Sequence, residues 1–302
     1  MRKIVLLWTL GVSVACLAAQ PSESHVQDIV ERVGQCVRRL KAADPEAVPM
    51  AFWDFDGTII KGDIGIGLTD GGRVCYRSII GSALEEGYSS IYRGAEAERR
   101  WRDDLARFNE IGPWLTQAFD VQMFAGARTA DLTACAARKI REGRLDRWYF
   151  ASSMAIWRAL EKAGVLNFVV SANVEPLLRG AAESLGVEPE RINACRAEVV
   201  AGRVTTKVVY PLLFGPGKTE AVRAIVQSRP HGVAVAGFGD SYRTDGDFLR
   251  YIGTQSLPGG ARPLAVMING GETVSGYSEH FLCVEQSAVV GNVGPLTKEE
   301  CE

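Results

Sequence analysis

The chain has 302 residues, of which 47% are hydrophobic and 23% are charged, as in an ordinary globular protein rather than a disordered one. Lys and Arg total 34 against 36 Asp and Glu, so the net charge is −2 and no basic excess favours nucleic acid as a partner. Beyond the N-terminus there is no run of about 18 apolar residues, which excludes a polytopic membrane protein. The length allows two domains, or one large domain with an insertion.

The N-terminal residues have the pattern of a secretory signal peptide. Arg2 and Lys3 precede an apolar run over 4–14, and small residues follow up to Ala19. We predict cleavage after residue 19 and export to the periplasm or the medium, the alternative being a membrane anchor that is retained. The residues before Cys16 also resemble a bacterial lipoprotein signal, which makes Cys16 a candidate lipid anchor.

The other cysteines bear on the compartment as well. They are Cys36, Cys75, Cys135, Cys195, Cys283 and Cys301. Their even number permits up to three disulfides in an exported protein, and buried free thiols are the alternative. The chain has 3 histidines and lacks a CxxC pair, so the sequence does not favour a structural zinc site.

The first predicted elements are an amphipathic helix over 22–43 and a short buried strand over 50–53. From 64 to 145 strand-like runs disappear and charged helical stretches such as 96–109 and 129–142 take over, which indicates a helical insertion. We therefore divide the chain into a signal peptide (1–19), a leading helix with the first core strand (20–63), a helical cap (64–148), a core (149–290) and a tail (291–302).

After the insertion, predicted helices and strands alternate. The helices lie over 149–162, 174–185 and 219–227, and the strands over 165–170, 197–200, 205–209, 233–238 and 263–267. This alternation favours an α/β fold in which helices cover both faces of a parallel sheet. Ligands bind at the carboxyl ends of the strands in such sheets.

Polar clusters lie at the ends of predicted strands or at the start of a helix. They are Asp54 with Asp56, Ser171, Lys218, and Asp240 with Asp245. Parallel strands end at one edge of a sheet, so these side chains can converge. Paired carboxylates suit Mg²⁺, while a hydroxyl and a lysine suit the anionic oxygens of a phosphoryl group. Each residue alone has an ordinary role as a turn, a helix cap or a solvated charge; together they predict phosphoryl chemistry.

In their order along the chain, these clusters resemble the motifs of the haloacid dehalogenase superfamily. The matching segments are Asp54-Phe55-Asp56-Gly57-Thr58, Val169-Val170-Ser171-Ala172-Asn173, Lys218, and Gly239-Asp240-Ser241 followed after three residues by Asp245. The similarity runs from about residue 50 to 270. The insertion and segment 171–186 resemble the phosphoserine-phosphatase-like branch. This resemblance implies a Rossmann-like core with a helical cap inserted after the first motif.

The resemblance also implies a role for each residue. Asp54 would attack phosphorus and form an aspartyl-phosphate, and Asp56 would protonate the leaving alkoxide and then activate water. Thr58 and Ser171 would hydrogen-bond the phosphoryl oxygens, while Lys218 offsets their charge.

For the metal, the resemblance implies that Mg²⁺ is bound by the side chains of Asp54 and Asp240 and by the backbone carbonyl of Asp56. Asp245 takes the supporting acidic position, with Asp247 as its rival. The carboxylate of Asp56 favours a phosphatase over a dehalogenase, because a leaving halide needs no proton and an alkoxide does.

We therefore predict an exported, Mg²⁺-dependent phosphomonoesterase that acts on a small phosphate ester, without a nucleic-acid partner. The alternatives are a phosphotransferase that uses the same intermediate and a non-catalytic protein that binds a phosphate ester. The oligomeric state and the carbon skeleton of the ester stay open.

Aromatic residues in or beside the cap raise two alternatives, a box for a choline-like cation and plain core packing. They are Tyr76, Tyr88, Tyr92, Trp101, Trp114, Trp148 and Tyr149.

Overall fold

The computed structural model describes residues 22–271 and 274–291. The predicted signal peptide with Cys16, and the tail beyond residue 291 with Cys301, lie outside these residues. Within the two described ranges, no helix is both long and apolar enough to cross a membrane.

The elements of the described ranges follow one another in an α/β order. The strands are β1 (Val48–Trp53), β2 (Gly67–Asp70), β3 (Arg73–Arg77), β4 (Leu166–Val174), β5 (Ile192–Cys195), β6 (Ala197–Val200), β7 (Arg203–Val208), β8 (Gly232–Gly239), β9 (Leu264–Ile268) and β10 (Leu282–Val284). The α-helices are α1 (Ser22–Ala43), α2 (Ile79–Glu85), α3 (Ala97–Ile111), α4 (Pro113–Gln122), α5 (Thr129–Glu142), α6 (Ala151–Lys162), α7 (Glu175–Leu178), α8 (Ala182–Leu185), α9 (Pro216–Gln227) and α10 (Gly246–Gly253).

A parallel sheet forms the core of the described part of the chain, with six strands in the order β10-β9-β8-β1-β4-β5. Helix α1 packs against α6, and α9 packs against α10; all four contact the sheet. Along α1 the buried residues Ile29, Val33, Cys36 and Leu40 recur at helical spacing, as the amphipathic pattern predicted. The predicted α/β, Rossmann-like parallel core is confirmed.

Strand β1 lies in the middle of the sheet, with β4 on one side and β8 on the other. Residues 50–53 are fully buried, because a central parallel strand is covered on both faces and therefore reads as a continuous apolar run. Trp53 stacks on Phe238 with ring centroids 3.6 Å apart, and its indole N–H donates to the amide oxygen of Asn167 over 2.9 Å. The end of β1 is thus firmly held at the point where the polar residues begin.

The segment between β1 and α6 contains α2–α5, so a mainly helical insertion follows the first motif. The expectation that this segment lacks strands is wrong, because β2 and β3 form an antiparallel hairpin. Gly71 and Gly72 make its two-residue turn with φ of +56° and +77°. Two adjacent glycines in the left-handed region suit such a turn, and this was the signal in the sequence. The strands themselves are short and largely exposed, so their hydrophobic pattern is weak.

Other local differences also arise from short elements. Strands β5 and β10 were not predicted, and each has only three or four residues. The helix expected over 174–185 is divided into α7, a turn of 3-10 helix (Arg179–Ala181) and α8. The division coincides with Gly180, where a Cβ would lie 2.6 Å from the backbone nitrogen of Ala137 on α5. Close packing against the insertion therefore shapes this segment.

The five described cysteines are unpaired, so the structure favours the alternative of free thiols over disulfides among them. Cys36, Cys75, Cys135 and Cys195 are buried on four different elements, α1, β3, α5 and β5, where they pack as small apolar side chains. Burial raises the pKa of Cys195 to about 12 and that of Cys36 to about 11, which keeps these thiols protonated.

Candidate active site

The residues after β1 form a tight loop at the carboxyl edge of the sheet. The amide of Asp54 donates to a carbonyl of β8 over 2.8 Å. Gly57 has a φ of +73°, and its amide lies 2.9 Å from the carbonyl oxygens of Ile60 and Gly62. A Cβ at Gly57 would lie 2.0 Å from Oδ2 of Asp240, so glycine lets this loop touch the loop after β8.

Lys218 lies in the first turn of α9 and is fully buried. Its ammonium group donates to Oδ1 of Asp54 over 2.7 Å and to Oδ1 of Asp245 over 2.6 Å. Burial lowers the pKa of Lys218, but the charges of Asp245 and Asp54 outweigh it and raise that pKa above its ordinary value. The lysine is therefore a fixed cation. Its helix starts close to the preceding loop because residue 217 is glycine: a Cβ at Gly217 would lie 1.8 Å from the carbonyl oxygen of Leu212.

Asp245 shapes the loop after β8. Its Oδ2 accepts the amides of Asp240 (3.1 Å) and Ser241 (3.0 Å), while its other oxygen accepts from the lysine. Asp247, the rival for this position, lies in the first turn of α10 and accepts from the hydroxyl of Tyr277. The structure thus brings Asp245 into the acidic cluster and leaves Asp247 outside it.

The acidic cluster fits a divalent cation. Asp54, Asp240 and Asp245 present carboxylate oxygens that all lie within 4.8 Å of one another. Burial, then the charge of Asp245, raises the pKa of Asp54 to about 7 in spite of the nearby lysine. Burial, then the charge of Asp54, raises the pKa of Asp240 to about 8. One lysine does not neutralise three carboxylates, and oxygen donors of this kind suit Mg²⁺. Because both oxygens of Asp245 are engaged, Asp54 and Asp240 are the side chains that suit the metal best.

Asp56 is held in a fixed orientation beside this cluster. Its Oδ1 accepts the amide of Ile64 over 2.7 Å, and its Oδ2 accepts the side-chain amide of Asn173 over 3.2 Å. Burial, followed by the charges of Asp63 and Asp54, raises the pKa of Asp56 well above its ordinary value. A carboxyl group whose pKa is raised in this way can serve as a general acid.

The two predicted phosphate-binding hydroxyls differ in position. Ser171 is buried near the end of β4, and its Oγ accepts the amide of Asn173 over 3.2 Å. Thr58 is fully buried, and its hydroxyl oxygen has no hydrogen-bond partner among the residues described. A buried polar group without a partner costs roughly 1–3 kcal/mol, so a ligand oxygen that reached the Thr58 hydroxyl would offset this cost.

A cavity of about 760 Å³ joins most of the predicted site. Asp54, Asp56, Ser171, Lys218 and Asp240 line it, whereas Thr58 and Asp245 are buried without lining it. These residues come from four separate segments of the chain that the parallel sheet brings to one edge, as the sequence predicted.

A family model of haloacid dehalogenase-like hydrolases matches residues 51–250, which is most of the chain. The chain belongs to this family. The matched range contains every predicted site residue, from Asp54 to Asp245, and this agrees with the resemblance in the sequence motifs.

Solved structures share the fold at low sequence identity. A protein of unknown function from Bordetella pertussis Tohama I is 18% identical with a TM-score of 0.56, over 79% of this chain and 98% of that one. A functionally unknown protein from Anaerococcus prevotii DSM 20548 is 12% identical with a TM-score of 0.57, over 83% and 87%. An apo phosphoserine phosphatase is 13% identical with a TM-score of 0.47, over 81% and 96%. The first two likenesses support the fold alone. No curated protein matches the sequence.

The insertion supplies the opposite wall of this hydrolase cavity. Residues Leu105 and Asn109 of α3 and Thr116, Gln117 and Asp120 of α4 line it. Asp120 accepts the indole N–H of Trp101 over 2.9 Å. Burial raises the pKa of Asp120 to about 7, and the charge of Asp63 adds to this effect. The cap therefore adds a further carboxyl group with a raised pKa to those of the core.

The cap aromatics do not form a cation box. None of the seven residues considered above is among those that line the cavity, and Tyr76, Tyr92, Trp101, Trp148 and Tyr149 are buried in the core. Trp114 is 54% exposed. The structure favours the alternative of core packing for most of these rings.

Several polar residues of the cavity were given no role from the sequence. Asn173 and Asp63 line it beside Asp56, and Gln286 lines it from the segment after β10. Asn173 carried a usable signal, because it stands two residues after Ser171 at the end of a strand. Gln286 carried none, since an isolated glutamine far along the chain has no local pattern.

Proposed function

We propose that this chain is an exported, Mg²⁺-dependent phosphomonoesterase that cleaves a small phosphate ester through an aspartyl-phosphate on Asp54. The observation that carries the proposal is the buried Asp54–Lys218 pair, 2.7 Å apart, in a cavity that Asp56 and Asp240 also line. Membership of a hydrolase family supports the reaction class.

Asp54 is the nucleophile in this proposal. The ammonium of Lys218 fixes one of its carboxylate oxygens, and an oxygen of the carboxylate attacks phosphorus. The new bond joins that oxygen to phosphorus as the ester P–O bond breaks. The fixed charge of Lys218 offsets the negative charge of the phosphoryl group during transfer.

Asp56 supplies the proton for the leaving group. The raised pKa of its carboxyl keeps the proton available, and donation of that proton releases an alcohol instead of an alkoxide. As a carboxylate, Asp56 then takes a proton from the water that hydrolyses the aspartyl-phosphate. The amide of Ile64 and the side chain of Asn173 keep it oriented through both steps.

The remaining groups bind the phosphate. In this proposal the hydroxyls of Ser171 and Thr58 donate to phosphoryl oxygens. Ser171 lines the cavity, and the support for Thr58 is that its buried hydroxyl has no partner among the described residues. Mg²⁺, bound by Asp54 and Asp240, would supply a Lewis acid that neutralises these oxygens. The cavity volume of about 760 Å³ suits a small ester.

Export rests on the signal-peptide pattern over residues 1–19, and lipidation at Cys16 would keep the enzyme on a membrane surface. Mass spectrometry of the N-terminus of the protein recovered from cells tests both. A mature chain that begins at residue 20 supports export with cleavage. An intact N-terminus contradicts export with cleavage. A mature chain that begins at an acylated Cys16 indicates an exported protein that is held by a lipid anchor.

The experiment that tests the reaction is phosphate release from a panel of phosphomonoesters by purified protein, with Mg²⁺ and with a chelator. The variant Asp54→Asn removes the nucleophile and keeps the shape, so release is lost while the fold is retained. Asp247→Asn, a carboxylate outside the cluster, is the matched control and keeps full activity. An added alcohol acceptor that diverts the product would indicate a phosphotransferase. No release from any ester by folded protein with Mg²⁺ would overturn the proposal.

A further inference from the structure

The chain returns to the active site after β10. The segment 285–291, here called the closing segment, follows β10, and its residue Gln286 lines the cavity with the catalytic carboxylates. This contribution lies beyond the range that the family model matches, which ends at residue 250.

The closing segment is fixed on two sides. Asn269, just after β9, and Gln286 form a reciprocal pair. The amide of Gln286 donates to Oδ1 of Asn269 over 2.7 Å, and Nδ2 of Asn269 donates to the carbonyl of Gln286 over 2.9 Å. Farther along, the amide of Val290 donates to the carbonyl of Tyr149, and the carbonyl of Ala288 accepts from the start of α6. The backbone at Gln286 therefore has little freedom.

The side chain of Gln286 holds the loop that carries the first motif. Its Nε2 donates to the carbonyl oxygen of Thr58 over 3.1 Å and to Oγ of Ser153 over 3.0 Å. Ser153, in the first turn of α6, donates to the same Thr58 carbonyl over 2.7 Å. The amide oxygen of Gln286 accepts from Ser152. A single carbonyl of the catalytic loop is thus held by two side chains from distant parts of the chain.

The held carbonyl belongs to a residue whose hydroxyl is unpartnered among the described residues. Thr58 follows Gly57 directly, and Gly57 contacts Asp240. A shift of the Thr58 carbonyl would therefore move a phosphate-binding hydroxyl and the contact between the two acidic loops together. Misplacement of reacting groups by about 1 Å can cost as much as 10²-fold in rate.

We propose that Gln286 is a positioning residue that sets the catalytic loop through the Thr58 carbonyl. The inference rests on the proposed phosphatase function. It assigns the chain beyond β10 a part in catalysis and not only in closing the fold.

The test compares Gln286→Met, which keeps the length of the side chain without its amide, and Gln286→Glu, which keeps an acceptor for Ser152 and loses both donors. Glu285→Gln, an exposed neighbour, is the control. Each purified protein is assayed for kcat and KM on a phosphomonoester, for inhibition by orthovanadate as a probe of the transition-state geometry, and for its Tm.

Both Gln286 variants are expected to lower kcat by about tenfold or more and to weaken vanadate inhibition by a similar factor, with KM within about threefold. Their Tm should stay within about 2 °C of the parent, and Glu285→Gln should match the parent throughout. Retention of kcat within about twofold overturns the inference, as does a lost kcat that follows a lower Tm while vanadate inhibition is unchanged. Parent protein that is inactive in the same assay would instead overturn the phosphatase function, and this inference with it.

Discussion

Replacement of Lys218 by methionine tests how the acidic cluster is held together. The lysine is fully buried and bonds Asp54 at 2.7 Å and Asp245 at 2.6 Å. Removing one partner of a buried ion pair costs about 3–5 kcal/mol, because it leaves uncompensated charge in the interior. Methionine fills most of the volume, so the cost is mainly electrostatic. We expect Lys218→Met to lower the free energy of unfolding by this amount near pH 8 and to abolish activity.

The loss should also depend on pH. The folded-state pKa of Asp54 is raised from its ordinary 3.8 to about 7. Between these two pH values the folded protein holds a proton on Asp54 that the unfolded chain has released. The stability of the protein therefore falls as the pH rises through this range. Without Lys218 this pKa rises further, so the deficit of the variant is larger near pH 8 than near pH 5.5. Added Mg²⁺ should recover part of it.

Urea denaturation at both pH values, with and without Mg²⁺, measures these effects. Lys207→Met is the matched control, since Lys207 pairs with Glu198 at 3.4 Å on the surface and its side chain is 74% exposed. An exposed pair of this kind contributes about 0–1 kcal/mol. If Lys218→Met cost no more than this control near pH 8, or if it kept normal turnover, the account of the cluster would be refuted.

Three further substitutions test individual parts of the site. Asp56→Asn removes the acid and should slow turnover by about 10²-fold or more while phosphoenzyme accumulates, as measured by rapid quench; unchanged turnover would contradict the role of Asp56. Gly57→Ala places a Cβ 2.0 Å from Oδ2 of Asp240 at a φ of +73°, so a loss of activity of about tenfold or more is expected in steady-state assays, and normal kinetics would contradict the close contact. Asp120→Asn keeps an acceptor for the indole of Trp101 and removes a carboxyl group whose folded-state pKa is about 7. Urea denaturation should therefore show a gain in stability near pH 8 that shrinks toward pH 4. A gain that does not depend on pH would contradict the raised pKa.

Local sequence patterns were enough to predict one part of the site. Residues 50–53 are apolar because β1 is covered on both faces, and the abrupt change to Asp54 marks the edge of the sheet. Asp240 could be placed at that edge because it directly follows a parallel strand, and Lys218 was a candidate because it stands at the start of a predicted helix. The choice between Asp245 and Asp247 required the structure, since both stand near the start of α10 and only the hydrogen bonds separate them.

The part that could not be predicted comes from long-range contacts between side chains without a local pattern. Asn173 was visible at a strand end, but its bond to Asp56 spans 117 residues. Gln286 reaches the Thr58 carbonyl across 228 residues, and glutamine is most often an exposed residue. Short strands such as β10 were missed for a related reason: three residues hold too little pattern for a periodicity to show.

The most direct test of the central claim is to locate the covalent intermediate. The Asp56→Asn variant, mixed with a phosphomonoester and Mg²⁺, is quenched in acid, digested and analysed by mass spectrometry. We predict a phosphoryl adduct on the peptide that contains Asp54, and its absence from the same peptide when Asp54→Asn is combined with Asp56→Asn. Phosphate release by the parent enzyme without any adduct on that peptide, or an adduct on another residue, would contradict Asp54 as the nucleophile.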